Sequence, residues 1–159
     1  MSQPRYAIVD PADYDRLKGH KWVTKKGDKT FYARRYIPRG KGKNDTLVYI
    51  HQEIIKVPKG MVVDHINHDG MDNRRANLRA ATHSQNLCNR KKRSGAMYSK
   101  YKGVHWHKHH KKWSSRITFQ KKTIELGSFE DEIEAAKAYD EAAKIHHGEF
   151  ACLNFPEKK

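Results

Sequence analysis

The chain has 159 residues, enough for one domain or two small ones, with 33 Lys and Arg against 18 Asp and Glu and a formal net charge of +15. That balance points to a polyanionic partner, nucleic acid before membrane. No apolar run approaches the roughly 18 residues that span a bilayer, the opening MSQPRYAIVD lacks the apolar centre of a signal peptide, and Cys88 and Cys152 form no CxxC pair, so no disulfide framework or zinc ribbon is implied. A soluble intracellular (cytoplasmic) protein without membrane attachment is expected.

Taken in chain order, residues 6–59 read as a small β-rich unit. Tyr6-Ala7-Ile8-Val9 is strand-like. Asp10-Pro11 reads as an N-cap followed by proline at the first helical position, with Gly19 closing a short helix. Trp22-Val23-Thr24 and the run from Phe31 to Ile37 flank Lys26-Gly27-Asp28, a hairpin signal. Tyr32, Arg34 and Tyr36 share one face of the second strand, either as a base-stacking surface or as ordinary cross-strand packing. Leu47 to Ile50 is a further strand, and His51 opens the helical HQEII as a scaffold histidine rather than a ligand.

Met61-Val62-Val63 predicts a strand that ends at Asp64-His65. Asn67-His68-Asp69-Gly70 then reverses the chain, as Asp-Gly pairs do between extended segments. Asn77-Leu78-Arg79 returns, and Thr82 with Gln85 three residues on has capping-box spacing, which predicts a helix carrying Asn86 and Asn89. These residue types suit phosphodiester hydrolysis. Asp64 and Asn86 each offer an oxygen to a hard divalent cation, and a neutral His65 can take a proton from the attacking water. A metal would polarise the phosphoryl oxygen and stabilise charge on the leaving oxygen. An Asp-His pair at a strand end is also an ordinary surface turn, and Asn-rich loops often satisfy only their own backbone. The joint pattern DHI, DNR, NLR and SQN within one hairpin-helix stretch favours the site.

This stretch resembles the HNH nucleases, whose ββα-metal motif is a hairpin plus one helix, and among them the phage and intron-encoded homing members. The resemblance implies His65 as general base, Asp64 and Asn86 as metal ligands, and Asn77 as the central asparagine that orients the hairpin loop. Many HNH sites carry histidine where this chain has Asn86. Two protein oxygens leave the remaining shell to water and phosphate, which suits one Mg²⁺, with Mn²⁺ as the alternative, over Zn²⁺. Asn86 could instead hydrogen-bond the hairpin, with Asn89 or a phosphate completing the shell.

The positive charge is concentrated. No Asp or Glu occurs between Asp72 and Glu125, an exclusion that a mixed solvated surface would not show. Arg74, Arg75, Arg90, Lys91, Lys92 and Arg93 are the candidate phosphate contacts of this first part, and Arg90 to Gly95 reads as a basic linker lying along DNA.

From residue 97 to Pro156 a second unit is expected. Strands are predicted at Gly103 to His107, Trp113 to Phe119 and Thr123 to Leu126, the last ending at Gly127, with a polar turn from His109 to Lys112. Asp131 caps a helix with Glu134 at its third position. Ala135, Ala138, Tyr139, Ala142, Ala143 and His146 form a small-residue stripe suited to a sheet, and Gly148 ends the helix. This unit resembles the Apetala-2 (ethylene-response-factor) DNA-binding domain through YKGV at Tyr101 to Val104, LGSF at Leu126 to Phe129, EAAKAYDEAA at Glu134 to Ala143 and the closing HHGEFACLNFP. The resemblance implies a sheet lying in the major groove, with His105, His107, Arg116 and Thr118 facing bases. It also implies that Trp113 packs. Glu125 departs from the plant pattern, which often has an aromatic there. The histidines at 105, 107, 109 and 110 invite a zinc reading, but lack the sulfur or further histidines that would close a tetrahedron.

The expected fold is α+β: an HNH domain over residues 1–93 with a small N-terminal β-rich part and its motif at 61–93, a basic linker at 94–100, and a three-stranded sheet packed on one helix over 101–157. The expected function is a metal-dependent, homing-type DNA endonuclease acting on double-stranded DNA as a monomer. The alternative is a catalytically silent, sequence-specific DNA-binding regulator.

Overall fold

A computed structural model describes residues 5–41, 43–92 and 99–156. The described residues form a mixed α+β fold of three small antiparallel sheets and four α-helices. They divide into two compact units, the first ending at Ser84 and the second beginning at Gln85. Among them no helix is long and apolar enough to cross a membrane.

In the first unit, α1 (Pro11–Lys18) starts where Pro11 presets the helical φ and lacks only an N–H that would go unbonded there, and Gly19 follows its end. Asp10 does not cap this helix with its side chain; its carboxylate accepts the Arg75 backbone N–H at 2.7 Å instead. The buried Asp13 accepts two hydrogen bonds from the Arg75 guanidinium, both 2.8 Å. β1 (Val23–Lys26) and β2 (Phe31–Ile37) form the expected hairpin, and β3 (Thr46–Tyr49) adds on the far side of β2. Ile50, expected to end that strand, begins α2 (Ile50–Ile54), because the Gln52 side chain accepts the Tyr49 N–H at 3.0 Å and caps the helix one residue earlier. Leu17, Ala33, Ile50, Ile54, Met71 and Leu78 make the core. Each large apolar side chain buried there contributes about 1.5–3 kcal/mol.

The strand expected at Tyr6 to Val9 is not formed. Only Ile8 makes a bridge, its N–H donating to Met71 O at 2.8 Å and its carbonyl accepting from Asn73 N at 2.7 Å. The chain turns into α1 directly afterwards, and Tyr6 and Ile8 stay exposed, so no second sheet face is buried to extend the pairing. β4 (Val62–His65) pairs with β5 (Leu78–Ala81), setting Asp64 opposite Arg79 and His65 opposite Leu78. The residues between them include a 3₁₀ turn at Arg75–Asn77. Within that connection the left-handed residue is His68 (φ 68°), not Gly70. Gly70 is required for space, because a Cβ there would lie 2.5 Å from both the Phe31 carbonyl and the Tyr32 ring. α3 (His83–Cys88) follows β5 and spans the division between the units. It ends before Asn89, which lies just beyond the helix, buried, with its N–H on Gln85 O at 3.1 Å.

In the second unit, β6 (Val104–His107), β7 (Lys112–Phe119) and β8 (Lys122–Phe129) form an antiparallel sheet in that order. β8 continues through Gly127 to Phe129 instead of stopping at the glycine. A register shift at Ser115/Arg116 absorbs the break, and Gly127 takes a φ of 134°. α4 (Glu132–His147) is capped by Asp131, whose carboxylate accepts the Ile133 and Glu134 N–H groups at 2.7 and 3.0 Å. Its buried stripe is Ala135, Ala136, Tyr139, Asp140, Ala142 and Ala143, whereas Ala138 and His146 are half-buried. Trp113 and Phe129 pack with Val104, Ala135 and Ala136. Gly103 has a φ of 78°, and a Cβ there would overlap the Tyr139 ring. Asp140, absent from the sequence expectations, accepts the backbone N–H groups of Asn154 and Phe155, both at 2.8 Å, and anchors the last segment on the helix.

Candidate functional site

The connection between β4 and β5 is built from short polar side chains that replace the backbone partners a loop lacks. Asn77 is its hub. Its amide nitrogen donates to Asn67 Oδ1 at 2.9 Å and to the Asp72 carbonyl at 2.7 Å, while its oxygen accepts the Asn67 backbone N–H at 3.0 Å. Asn67 in turn donates to Asp72 at 2.8 Å. Asp69 accepts the Met71 N–H at 2.9 Å, and Thr30 Oγ accepts that of Gly70 at the same distance. The loop is thereby laced to itself and to Thr30, the residue just before β2.

The consecutive Asp64 and His65 at the end of β4 are both buried, 4% and 7% exposed. The Asp64 carboxylate accepts from Arg79 Nε at 2.8 Å, and Arg79 Nη2 lies 2.8 Å from the same oxygen, a cross-strand ion pair set by the β4–β5 register. His65 Nε2 lies 3.2 Å from Oδ1 of the fully buried Asn73. The His65 ring stands edge-on to His51 (centroids 5.0 Å apart, 86°) and to Tyr32 (5.9 Å, 62°), and His51 stacks on Tyr49 (5.3 Å, 13°). Burial lowers the His65 pKa against the opposing pull of Asn73 and the carboxylates of Asp64, Asp69 and Asp72. Burial, with the neighbouring His65, pushes His51 down to about 3. Both imidazoles are thus neutral near pH 7, as a group that must accept a proton has to be.

The structure therefore brings Asp64, His65 and Asn77 into one hairpin and adds Asn73, Arg79 and His51. Asn73 stands in the DNR triplet, but nothing in the sequence aims it at His65. Arg79 would have been found only from the strand register. Asn86 lies half-buried on α3, in the second unit. Asp64 and Asn86 are hard oxygen donors and so fit a hard divalent cation better than a soft one. Among the described residues no three His, Cys, Asp or Glu side chains are grouped to hold a metal ion. A pair of one carboxylate and one amide falls below that number. In the 105–110 region, the His107 and His110 rings are 4.4 Å apart and tilted, and no metal-holding group forms there.

The basic candidates have diverse partners. Arg74 forms a two-pronged pair with Asp72 at 2.8 and 2.7 Å, and Arg75 pairs with Asp13; each side chain keeps 54% of its surface exposed. Lys92 Nζ donates to the Tyr101 and Val104 carbonyls at 2.7 and 3.0 Å, and Lys102 Nζ donates to Arg90 O at 2.8 Å. These bonds tie residues 90–92 to residues 101–104 within the second unit. Arg90 and Lys91 are exposed; Arg93 lies outside the described residues. On the sheet, the cross-strand register puts His105, Arg116, Thr118, Thr123 and Glu125 on the face away from α4, with His107 at its edge. Arg116 and Thr118 are exposed, alternating with the buried Ser115 and Ile117.

Residues 56–88 match the family model described as HNH endonuclease, and residues 99–148 match that of the AP2 domain. The chain has an HNH plus AP2-like architecture. The HNH segment contains Asp64, His65, Asn73, Asn77, Arg79 and Asn86. The chain is 32% identical over 115 residues to an uncharacterized HNH endonuclease of Acanthamoeba polyphaga mimivirus, covering 71% of this chain and 58% of that protein. It is 44% identical over 59 residues to an ethylene-responsive transcription factor of Arabidopsis thaliana, covering 36% of this chain and 14% of that protein. The chain thus spans less than two thirds of either relative. The AP2-like segment holds the exposed sheet face and all of α4.

Proposed function

We propose that the chain is a DNA endonuclease of the HNH homing type that hydrolyses a phosphodiester bond in double-stranded DNA. The observation that carries this reading is the neutral, buried His65 next to the Asp64 carboxylate, on a hairpin laced together by Asn77. In this reading β4, β5 and α3 are the ββα-metal unit. His65 takes the proton of the attacking water. Arg79 pairs with the Asp64 carboxylate and orients it. Asn77 keeps the loop from collapsing over the base. Asp64 and Asn86 would hold one Mg²⁺ or Mn²⁺, which when bound polarises the phosphoryl oxygen and stabilises charge on the leaving oxygen.

The second unit supplies selectivity. Its exposed sheet face, with His105, His107, Arg116 and Thr118, suits the major groove, which is wide enough for β-strands. Arg90, Lys91 and the exposed edges of Arg74 and Arg75 would meet phosphates, while Lys92 contributes through its neighbours' backbone. The Asp64–Arg79 pair also favours a second reading: a carboxylate already neutralised by arginine belongs equally to a silent, DNA-binding regulator. Supercoiled plasmid incubated with the purified chain and Mg²⁺, Mn²⁺ or Zn²⁺, with EDTA as control, separates the two. Relaxation or linearisation with Mg²⁺ or Mn²⁺, little with Zn²⁺ and none with EDTA is expected; binding without any cleavage would leave the regulator.

A further inference from the structure

We propose that Asn73 is the positioning residue of the site, fixing both the rotation and the tautomer of His65 so that Nδ1 is the nitrogen that takes the proton. This rests on the reading of His65 as the base. Asn73 is fully buried, and its amide nitrogen faces the Met71 and Gly70 carbonyls at 3.0 and 3.4 Å. Carbonyl oxygens only accept, so the end of the amide turned towards them must be the NH₂ group. The other end, Oδ1, therefore faces His65 Nε2 at 3.2 Å. An amide oxygen also only accepts, so Nε2 carries the hydrogen of the neutral ring and the lone pair resides on Nδ1. His51, edge-on at 5.0 Å, limits tilting of the same ring. The backbone N–H of Asn73 donates to Ile8 O at 2.7 Å. The chain's first segment thus holds the asparagine that holds the base.

The test is a long-range ¹H–¹⁵N correlation on the uniformly labelled full chain, at a pH where the ring is neutral. The His65 signals are assigned by their loss in His65→Gln. The Nε2–H tautomer, with Nδ1 at the unprotonated position, is expected. The Nδ1–H tautomer would overturn the proposal, whether or not the protein cuts plasmid. A wild type with the Nε2–H tautomer and no cleavage would instead sink the nuclease reading alone. The tautomer is read on the wild type, so the proposal stays testable if a variant fails to fold. For a folded Asn73→Ala, judged by its amide spectrum, the His65 nitrogens should move towards a tautomer-averaged position. Its kcat should fall about 10- to 100-fold, with KM for DNA nearly unchanged. An unchanged kcat, or a loss confined to KM, would contradict a positioning role.

Discussion

His65 and His51 are both neutral at pH 7, and the two rings bear on different measurements. If His65 is the base, His65→Ala should lose about 10²–10⁴-fold in cleavage, and Asp64→Ala should lose cleavage as well. DNA affinity in a filter or gel-shift assay should change little in both variants, since phosphate contacts elsewhere carry it. Burial lowers the His65 pKa, so the acid limb of the rate profile should fall below the ordinary histidine value of about 6.5. His51 bears on stability. Its folded pKa is about 3, so between there and about 6.5 the unfolded chain binds a proton that the folded chain does not. Stability then rises with pH across that window and is lost on acidification, by at most about 1.4 kcal/mol per pH unit from this group. Denaturant midpoints at pH 7 and pH 5 should diverge more for wild type than for His51→Gln. Equal divergence would mean that His51 is not the buried neutral group.

At the scale of elements, two positions decide whether a local piece can do its work. Gly103 leads into β6 with a φ of 78°, against the Tyr139 ring. Gly103→Ala adds left-handed strain and displaces a core tyrosine, so it should destabilise the second unit by about 2–4 kcal/mol. DNA binding should weaken with it, as followed by thermal unfolding and gel shift. Asn86 on α3 is the other position. If its amide oxygen is a ligand, Asn86→Ala should cripple Mg²⁺-dependent cleavage, and Asn86→His should move the preference towards softer ions such as Zn²⁺ or Ni²⁺. Metal titrations of both variants check this, and a wild-type Mg²⁺ response in Asn86→Ala would remove Asn86 from the site.

For the whole molecule the governing quantity is a net charge of +15. Binding should weaken steeply with salt, with a log–log slope of about −0.9 for each phosphate neutralised. Arg116→Ala should cost about 1–3 kcal/mol on the preferred site and relax discrimination at one base position. Lys91→Ala should weaken all sequences alike and reduce the slope by about one. Equal losses on every sequence for Arg116→Ala would make it a phosphate contact. The same basic residues read differently once their partners are seen. Lys92 spends its ammonium on two backbone carbonyls, and Arg74 and Arg75 are each half of a two-pronged ion pair. A block of positive charge in the sequence is therefore not equivalent to a block of free phosphate contacts.

The sequence by itself determined the HNH plus AP2-like architecture, the α+β class, the β1–β2 hairpin and the Asp131-capped helix. The architecture rests on the resemblance of whole motifs, whereas the class, the hairpin and the cap depend on neighbours within a few residues, where turn chemistry, capping spacing and periodicity operate. Only the tertiary structure decided that Tyr6 to Val9 makes a single bridge, that β8 runs through Gly127, and that Gly70 is needed for room rather than for its φ. It alone set Arg79 against Asp64, brought His51 and Asn73 to His65, and tied Asn73 to Ile8. Those contacts join residues that are not neighbours in the chain, on different strands, helices and loops. Burial and strand register select such pairs from many that local pattern permits equally.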